Sequence, residues 1–126
     1  MQMVIVKGDA GGIDFRVNTD SGKLGFYSFV IDVTGGYDFS IFDSTGFHDV
    51  VSGSSPAIHT GLNQPNMIAV VLHGKTLDLY VNGQQVNSIV NSTFRHGGIG
   101  VEADSMKNAT EVAFSNATVW EYQGIG

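Results

Sequence analysis

The sequence predicts an all-β protein, an antiparallel two-sheet sandwich of about ten strands. Apolar and polar residues alternate in short runs, which is typical of strands with one buried face. The 17 glycines fall mainly between these runs, where tight turns join successive strands. No stretch of about ten residues has the periodicity of an amphipathic helix.

The strands follow one another along the chain with short connections. The pattern predicts them at Gln2–Lys7, Gly12–Asn18, Phe26–Val33, Tyr37–Asp43, His48–Val51, Met67–Leu72, Leu77–Val81, Gln84–Val90, Gly98–Ala103 and Glu111–Tyr122. We expect the first four to pair in sequence order as a meander. Because side chains alternate along a strand, Ile13 and Phe15 should face the core and Asp14 and Arg16 the opposite side.

Two later segments carry stronger local signals. Met67–Leu72 is almost continuously apolar, which predicts a central strand covered on both faces. Leu77–Val81 alternates strictly and is followed by Asn82-Gly83, a pair that favours the left-handed conformations of a type I′ turn. The sequence therefore predicts a β-hairpin centred on Asn82 and Gly83.

Length and charge limit the classes of function. The 126 residues fit one domain, 1–126, because a second core would need on the order of 50 further residues. The formal net charge of −6 and the scattered Lys and Arg residues oppose binding to nucleic acid or to an anionic membrane. No apolar run approaches the roughly 20 residues of a membrane-spanning helix. Gln2–Lys7 predicts a strand and not a signal peptide.

Several segments together resemble a known family. They are GGIDFR at 11–16, GY at 36–37, GLN at 61–63, LYVNG at 79–83, GGIG at 97–100 and EVAFSN at 111–116. In this order they resemble concanavalin A-like lectin/glucanase sandwich domains, of the type seen in 3-keto-disaccharide hydrolase-like and bacterial multidomain surface proteins. The resemblance implies a jelly-roll sandwich in which one sheet face often carries saccharide.

The resemblance also implies a difference at the start of the chain. Such domains usually have one or two further strands before the segment that matches Gln2–Lys7. Missing strands would leave a sheet edge with unpaired backbone groups, and such an edge can pair with another copy. A homo-oligomer formed through an exposed sheet edge is therefore expected.

The candidate ligand-binding residues come from the outward face of the predicted strands. Polar groups beside an aromatic ring can hold a sugar, and a solvated sheet face is the alternative explanation. The outward positions are Asp14, Arg16, Ser28, Ser40 and Phe42, and the sheet order of the family would add His73, Asp78 and Tyr80. On this interpretation Arg16→Ala abolishes glycan binding and leaves the melting temperature nearly unchanged.

Catalytic and metal sites find little support in the sequence. The Glu-x-Asp-x-x-Glu run of laminarinase-like members is absent, so a hydrolase would need carboxylates from different strands. The absence of cysteine excludes thiol chemistry and thiolate-bound zinc, and the four histidines are not paired at metal-ligand spacing. Oxygen donors at Asp104, Asn108 and Glu111 could hold calcium, although they also suit a turn. We expect no cofactor and no resident metal.

These observations favour a noncatalytic carbohydrate-binding or adhesion module of a larger bacterial protein, located outside the cell or on its surface. A structural or self-assembling domain without a small ligand is the first alternative. A hydrolase acting on glycans or keto-sugars is the second alternative.

Overall fold

The computed structural model describes residues 1–20, 22–105, 107–115 and 121–122. The strands are β1 Gln2–Lys7, β2 Ala10–Asn18, β3 Gly25–Asp32, β4 Gly36–Asp43, β5 Gly46–Ser54, β6 Pro65–His73, β7 Thr76–Val81, β8 Gln84–Val90, β9 Gly98–Asp104, β10 Glu111–Ser115 and β11 Glu121–Tyr122. The described residues contain no helix, and so none that could span a membrane. The predicted all-β class is confirmed.

The strands form two sheets that share one core. One sheet has the order β10-β1-β6-β7-β8, with β11 added in parallel to β6, and the other has the order β5-β4-β3-β2-β9. The other strand pairs are antiparallel. The predicted two-sheet antiparallel sandwich is therefore confirmed, and β11 is a short parallel addition.

The predicted meander is shifted by one strand. β1 does not pair with β2, because it lies between β10 and β6 in the opposite sheet. The meander consists of β2, β3, β4 and β5. Since β1 has a partner on both sides, the unpaired edge expected beside Gln2–Lys7 does not exist.

A polar contact fixes the crossover from β1 to β2. The carboxylate of Asp9 accepts hydrogen bonds from the backbone N–H of Lys107 at 2.8 Å and of Asn108 at 2.9 Å. The backbone N–H of Asp9 donates to the hydroxyl of Thr110 at 2.9 Å. The turn is thereby tied to the loop before β10, which brings the end of β1 beside that strand.

The core shows the expected two-residue alternation. Phe15, Tyr27, Phe29 and Phe39 of the meander are buried against the second sheet. The second sheet contributes Met3, Ile5, Ile68, Leu72, Leu77, Leu79 and Val81. β6 differs from the prediction of a strand covered on both faces, because its side chains Met67 and Val71 are exposed.

The hairpin between β7 and β8 is as predicted. Asn82 and Gly83 have φ values of 52° and 80°, the left-handed conformations that a type I′ turn requires. The side chain of Asn82 also accepts from the backbone N–H of Met67 at 2.8 Å and donates to the carbonyl of Ala57 at 2.7 Å. The turn therefore also holds the long connection that precedes β6.

Candidate functional site

Carboxylates and hydroxyls gather on the outer face of the five-stranded sheet. Directly paired residues share a face, so the register aligns two rows across the strands. One row contains Asp14, Ser28, Ser40 and Asp49, and the next contains Glu102, Gly12, Val30, Asp38 and Ser52. The sheet thus brings together acidic residues that are up to about ninety positions apart in sequence.

The face contains a groove with a volume of about 560 Å³. Ser28 and Ser40 are each 3% exposed, so they form its floor. The other residues that line it are Val30, Ile31, Asp32, Gly36, Tyr37, Asp38, Phe47, Asp49, Ser52, Gly53, Glu102 and Asp104. The volume lies within the range of roughly 300–1,000 Å³ that is usual for small-molecule sites.

Gly12 creates room for Glu102 on this face. A methyl group at Gly12 would overlap the carbonyl oxygen of Phe29 and lie 2.7 Å from Cα of Val30. Because no side chain separates Glu102 from β3, its carboxyl group can reach Ser28. The hydroxyl of Ser28 donates a hydrogen bond to Oε1 of Glu102.

The carboxyl groups of Asp14, Glu102 and Asp104 form a hydrogen-bonded chain where β2 and β9 meet. Glu102 is bonded to both Asp14 and Asp104. Burial is the main cause that raises the pKa of Glu102 to about 7, and the bond with Asp14 adds to it. Burial also raises the pKa of Asp104 to about 7, together with its bond to Glu102. Near neutral pH these two carboxyl groups therefore hold protons that ordinary carboxylates lose.

Asp14 carries an acceptor without a partner. Burial raises the pKa of its carboxyl group. Its atom Oδ1 is buried and has no hydrogen-bond partner in the described part of the chain. An unsatisfied buried acceptor of this kind is costly when the carboxyl group is ionised, which agrees with the direction in which the pKa is shifted.

A second acidic pair lies opposite, on β4 and β5. The hydroxyl of Ser40 lies 2.5 Å from Oδ2 of Asp38 and 2.9 Å from Oδ1 of Asp49. A serine hydroxyl has one hydrogen, so both contacts are hydrogen bonds at once only when one carboxyl group is protonated. Burial raises the pKa of Asp38, and the charge of Asp49 raises it further.

An aromatic cluster lies at one end of the groove. The rings of Phe26 and Phe42 are stacked with centroids 4.8 Å apart, and Phe47 meets Phe42 edge-on at 4.9 Å. Phe47 is 56% exposed and lines the groove, so its ring is available to a ligand. Phe42 lies on the same face and contacts both other rings, which also meet each other edge-on at 5.9 Å.

The structure separates the sequence-predicted candidates. Asp14, Ser28, Ser40 and Phe42 share the outer face of the five-stranded sheet, as expected. His73, Asp78 and Tyr80 lie on β6 and β7 of the opposite sheet, so they cannot join this face. The sequence pattern gave each strand its two faces but not the sheet to which it belongs.

Arg16 does not lie on the polar face. The register shifts after Phe15, and Arg16 has a φ of 50°. Its side chain is 3% exposed as a result, and Nη1 donates to the carbonyl of Phe94 at 3.0 Å. The expected sugar contact at Arg16 is therefore replaced by an internal hydrogen bond beside Tyr27.

The sequence interpretation missed Glu102, Asp104, Asp38 and Asp49 as site residues. Glu102 and Asp104 are two positions apart on one strand, so their side chains share a face. Asp38 and Ser40 have the same spacing on β4. This spacing could have indicated that the paired side chains share a face. It does not show that neighbouring strands bring these carboxyl groups together and bury them.

The three oxygen donors that the sequence offered as an alternative for calcium are not assembled. Asp104 is bonded to Glu102, whereas the amide of Asn108 donates to Asp9 at 3.1 Å and Glu111 lies on β10 of the other sheet. Within residues 1–20, 22–105 and 107–115, no three His, Asp or Glu side chains are arranged to hold a metal ion.

Comparisons with known proteins support the fold. No family model matches the chain, and no curated protein matches it either. Among solved structures, the carbohydrate-binding module CBM66 from Bacillus subtilis superposes with a TM-score of 0.66 at 18% sequence identity. The match covers 79% of this chain and 62% of that structure, so this chain spans less than two thirds of its length. The chain thus shares the β-sandwich fold of a carbohydrate-binding module.

Proposed function

We propose that this chain is a noncatalytic carbohydrate-binding module and that the groove on the five-stranded sheet is its saccharide site. The observation that carries the proposal is the groove of about 560 Å³, with serines on its floor, carboxyl groups on its sides and the exposed ring of Phe47 at one end. Carboxylates accept hydrogen bonds from sugar hydroxyls, and an aromatic ring packs against the apolar face of a sugar. The likeness to the Bacillus subtilis module supports the same function.

The bonded carboxyl groups of Glu102, Asp14 and Asp104 do not have the spacing of a glycoside hydrolase pair. Glycoside hydrolases hold two carboxyl groups about 5 to 9.5 Å apart, with the scissile bond or a water molecule between them. Glu102 is bonded directly to Asp14 and Asp104, and a hydrogen bond brings two oxygens to roughly 3 Å. Neither bonded pair leaves room for a glycosidic bond.

Calorimetry with neutral oligosaccharides, chosen from a glycan array, tests this function. Phe47→Ala should weaken binding by about tenfold or more, because it removes the stacking surface. Ser40→Ala should weaken it as well, since Asp38 and Asp49 lose the hydroxyl that orients them.

The matched controls lie on the opposite sheet. Tyr80→Ala and His73→Ala should bind like the unmodified chain. Tyr80 lies on β7 and His73 on β6, and both strands belong to the sheet that does not carry the groove. Loss of binding in these controls with retention in Phe47→Ala would place the ligand on the other sheet and refute the groove as the site.

The wider context completes the proposal. We infer that residues 1–126 form one domain of a larger bacterial protein at the cell surface or outside the cell, where it serves attachment to glycans. The segments that resemble concanavalin A-like domains favour that assignment for the sandwich and a jelly-roll arrangement. Co-sedimentation of the chain with intact bacterial or plant cell-wall polysaccharide tests the attachment role.

Self-assembly is a second candidate function, and one strand favours it. β9 pairs only with β2 among the described strands. Ile99 and Val101 face the core side of this strand, opposite Phe15 and Ile13, yet they are 42% and 48% exposed. An open edge with apolar side chains can pair with a second copy. Light scattering should then show a dimer that Val101→Lys dissociates, and a monomeric unmodified chain would exclude this candidate.

A further inference from the structure

The charge and hydrogen-bonding character of the groove indicate a class of saccharide. We propose that the groove prefers sugars carrying a free ammonium group to neutral sugars, and that it rejects anionic glycans. This inference rests on the proposed function, because it concerns the ligand of the same groove.

The first support is the sign of the charge. Asp32, Asp38, Asp49, Glu102 and Asp104 line the groove, whereas none of its described lining residues is Lys, Arg or His. Burial, together with the charges of neighbouring carboxylates, raises the pKa values of Asp38, Glu102 and Asp104, so it is unfavourable for these three groups to be ionised together. A cation among them removes the repulsion, and an anion increases it.

The second support is the direction of the hydrogen bonds. The hydroxyl hydrogen of Ser28 is donated to Glu102, and the hydroxyl of Ser40 is occupied by its contacts with Asp38 and Asp49. The hydroxyl of Tyr37 donates away from the groove, to the carbonyl of Val86 at 3.2 Å. The side chains of the groove therefore present mainly acceptors. An ammonium group has three donors and no acceptor, whereas a carboxylate or sulfate has acceptors alone.

The third support is that the acidic groups belong to a groove of ligand size. Glu102 and Asp104 line this groove, and Asp14, whose buried atom Oδ1 has no partner in the described structure, is bonded to Glu102 from behind that lining. The exposed ring of Phe47 lies at the other end of the face. A bare cation would satisfy the acceptors and leave the aromatic surface unused, whereas an amino sugar uses both.

Calorimetry at pH 7 and low salt with four hexasaccharides tests the preference. The probes are hexamers of glucosamine, N-acetylglucosamine, glucose and galacturonic acid, of which the first two differ only by the acetyl group. We expect the glucosamine hexamer to bind about tenfold more tightly than the two neutral hexamers, and the galacturonate hexamer not to bind. Raising the salt concentration should weaken the binding of glucosamine and leave that of glucose nearly unchanged.

Two variants distinguish attraction of the ammonium group by the groove from its attraction by the net charge of the whole chain. Glu102→Gln keeps an acceptor for Ser28 but removes a carboxyl group that a bound ammonium group would hold in its ionised form, so it should reduce the preference for glucosamine by about fivefold. Glu111→Gln removes one charge from exposed β10 and should leave the preference unchanged.

Each contrary outcome has a distinct meaning. If a neutral hexamer binds at least as tightly as glucosamine, this inference is overturned and the carbohydrate-binding function stands. Equal losses in Glu102→Gln and Glu111→Gln also overturn it, since the attraction would then come from the net charge. If no saccharide binds at all, the proposed function fails as well.

Discussion

Glu102 and Asp104 are joined by a carboxyl–carboxyl hydrogen bond on the outer face of β9. Two ionised carboxylates cannot form such a bond, so it requires a proton on one of them. Burial is the main cause that raises the pKa of both groups to about 7. The stability of the fold and the charge of the groove therefore both depend on pH near neutrality.

We predict that the free energy of unfolding decreases as the pH rises from about 5 to about 7.5. The folded pKa values lie above the ordinary values of 4.5 for Glu102 and 3.8 for Asp104, so the native state binds more protons than the unfolded state in this window. Stability must then fall with rising pH. Because water screens these partly exposed groups, the decrease is about 1 kcal/mol. Urea unfolding at several pH values measures it.

Glu102→Gln provides the matching variant. It should flatten this pH dependence and be more stable than the unmodified chain at about pH 8, because one buried charge is removed. Glu111→Gln, on exposed β10, should keep the original dependence. Parallel curves for Glu102→Gln and the unmodified chain would contradict the role assigned to this pair.

We predict that Arg16→Ala lowers the stability of the fold and leaves saccharide binding intact. The guanidinium group is buried and bonded to the carbonyl of Phe94, which then loses a charged donor. The expected cost is about 1–3 kcal/mol, which thermal melting detects. Arg95→Ala, at an exposed position, serves as the control. An unchanged melting temperature with lost binding would instead support the original sequence interpretation of Arg16.

Arg16 also shows where sequence reasoning ends. Alternation correctly places Ile13 and Phe15 toward the core and Asp14 outward, because it depends only on strand geometry. The irregularity after Phe15 arises where β2 meets its partners β3 and β9, and both registers shift there. A bulge of this kind depends on pairing between distant segments, so no local pattern around Arg16 reveals it.

Prediction of the candidate site from the sequence has a similar limit. The spacing of Glu102 and Asp104 predicts a shared face, whereas their burial depends on Asp14 and Gly12 of a strand about ninety residues earlier. His73 and Tyr80 have the correct alternation for outward residues, but alternation does not assign a strand to a sheet. The fold class could therefore be predicted from local periodicity, and the site required the strand order.

We predict that Gly12→Ala is strongly destabilising. The added methyl group would overlap the carbonyl oxygen of Phe29, so β2 and β3 would have to move apart in the middle of the sheet. Overpacking of this kind costs about 1–3 kcal/mol or more. Gly98→Ala is the control, because a methyl group there meets nothing within 4 Å. Equal stability of the two variants would show that the close approach at Gly12 does not constrain the sheet.

The last prediction concerns the side chain of Asn82. Asn82→Gly keeps the left-handed turn, since glycine adopts a positive φ without strain. It removes hydrogen bonds to Met67, to Ala57 and to Oδ1 of Asn66, which is itself buried and bonded to the backbone of His59. The connection before β6 would lose its attachment to the hairpin, and we expect a loss of about 1–3 kcal/mol in urea unfolding.

Asn63→Gly is the matched control for this prediction. Asn63 also has a positive φ, 60°, and its exposed side chain makes no hydrogen bond within the described structure. Replacing it should leave stability unchanged or raise it by up to about 1 kcal/mol, because glycine relieves the strained backbone. If both variants were equally stable, the turn conformation alone would explain the choice of Asn82. If only Asn82→Gly is destabilised, its side chain links the hairpin to the connection that carries Ile58 into the core.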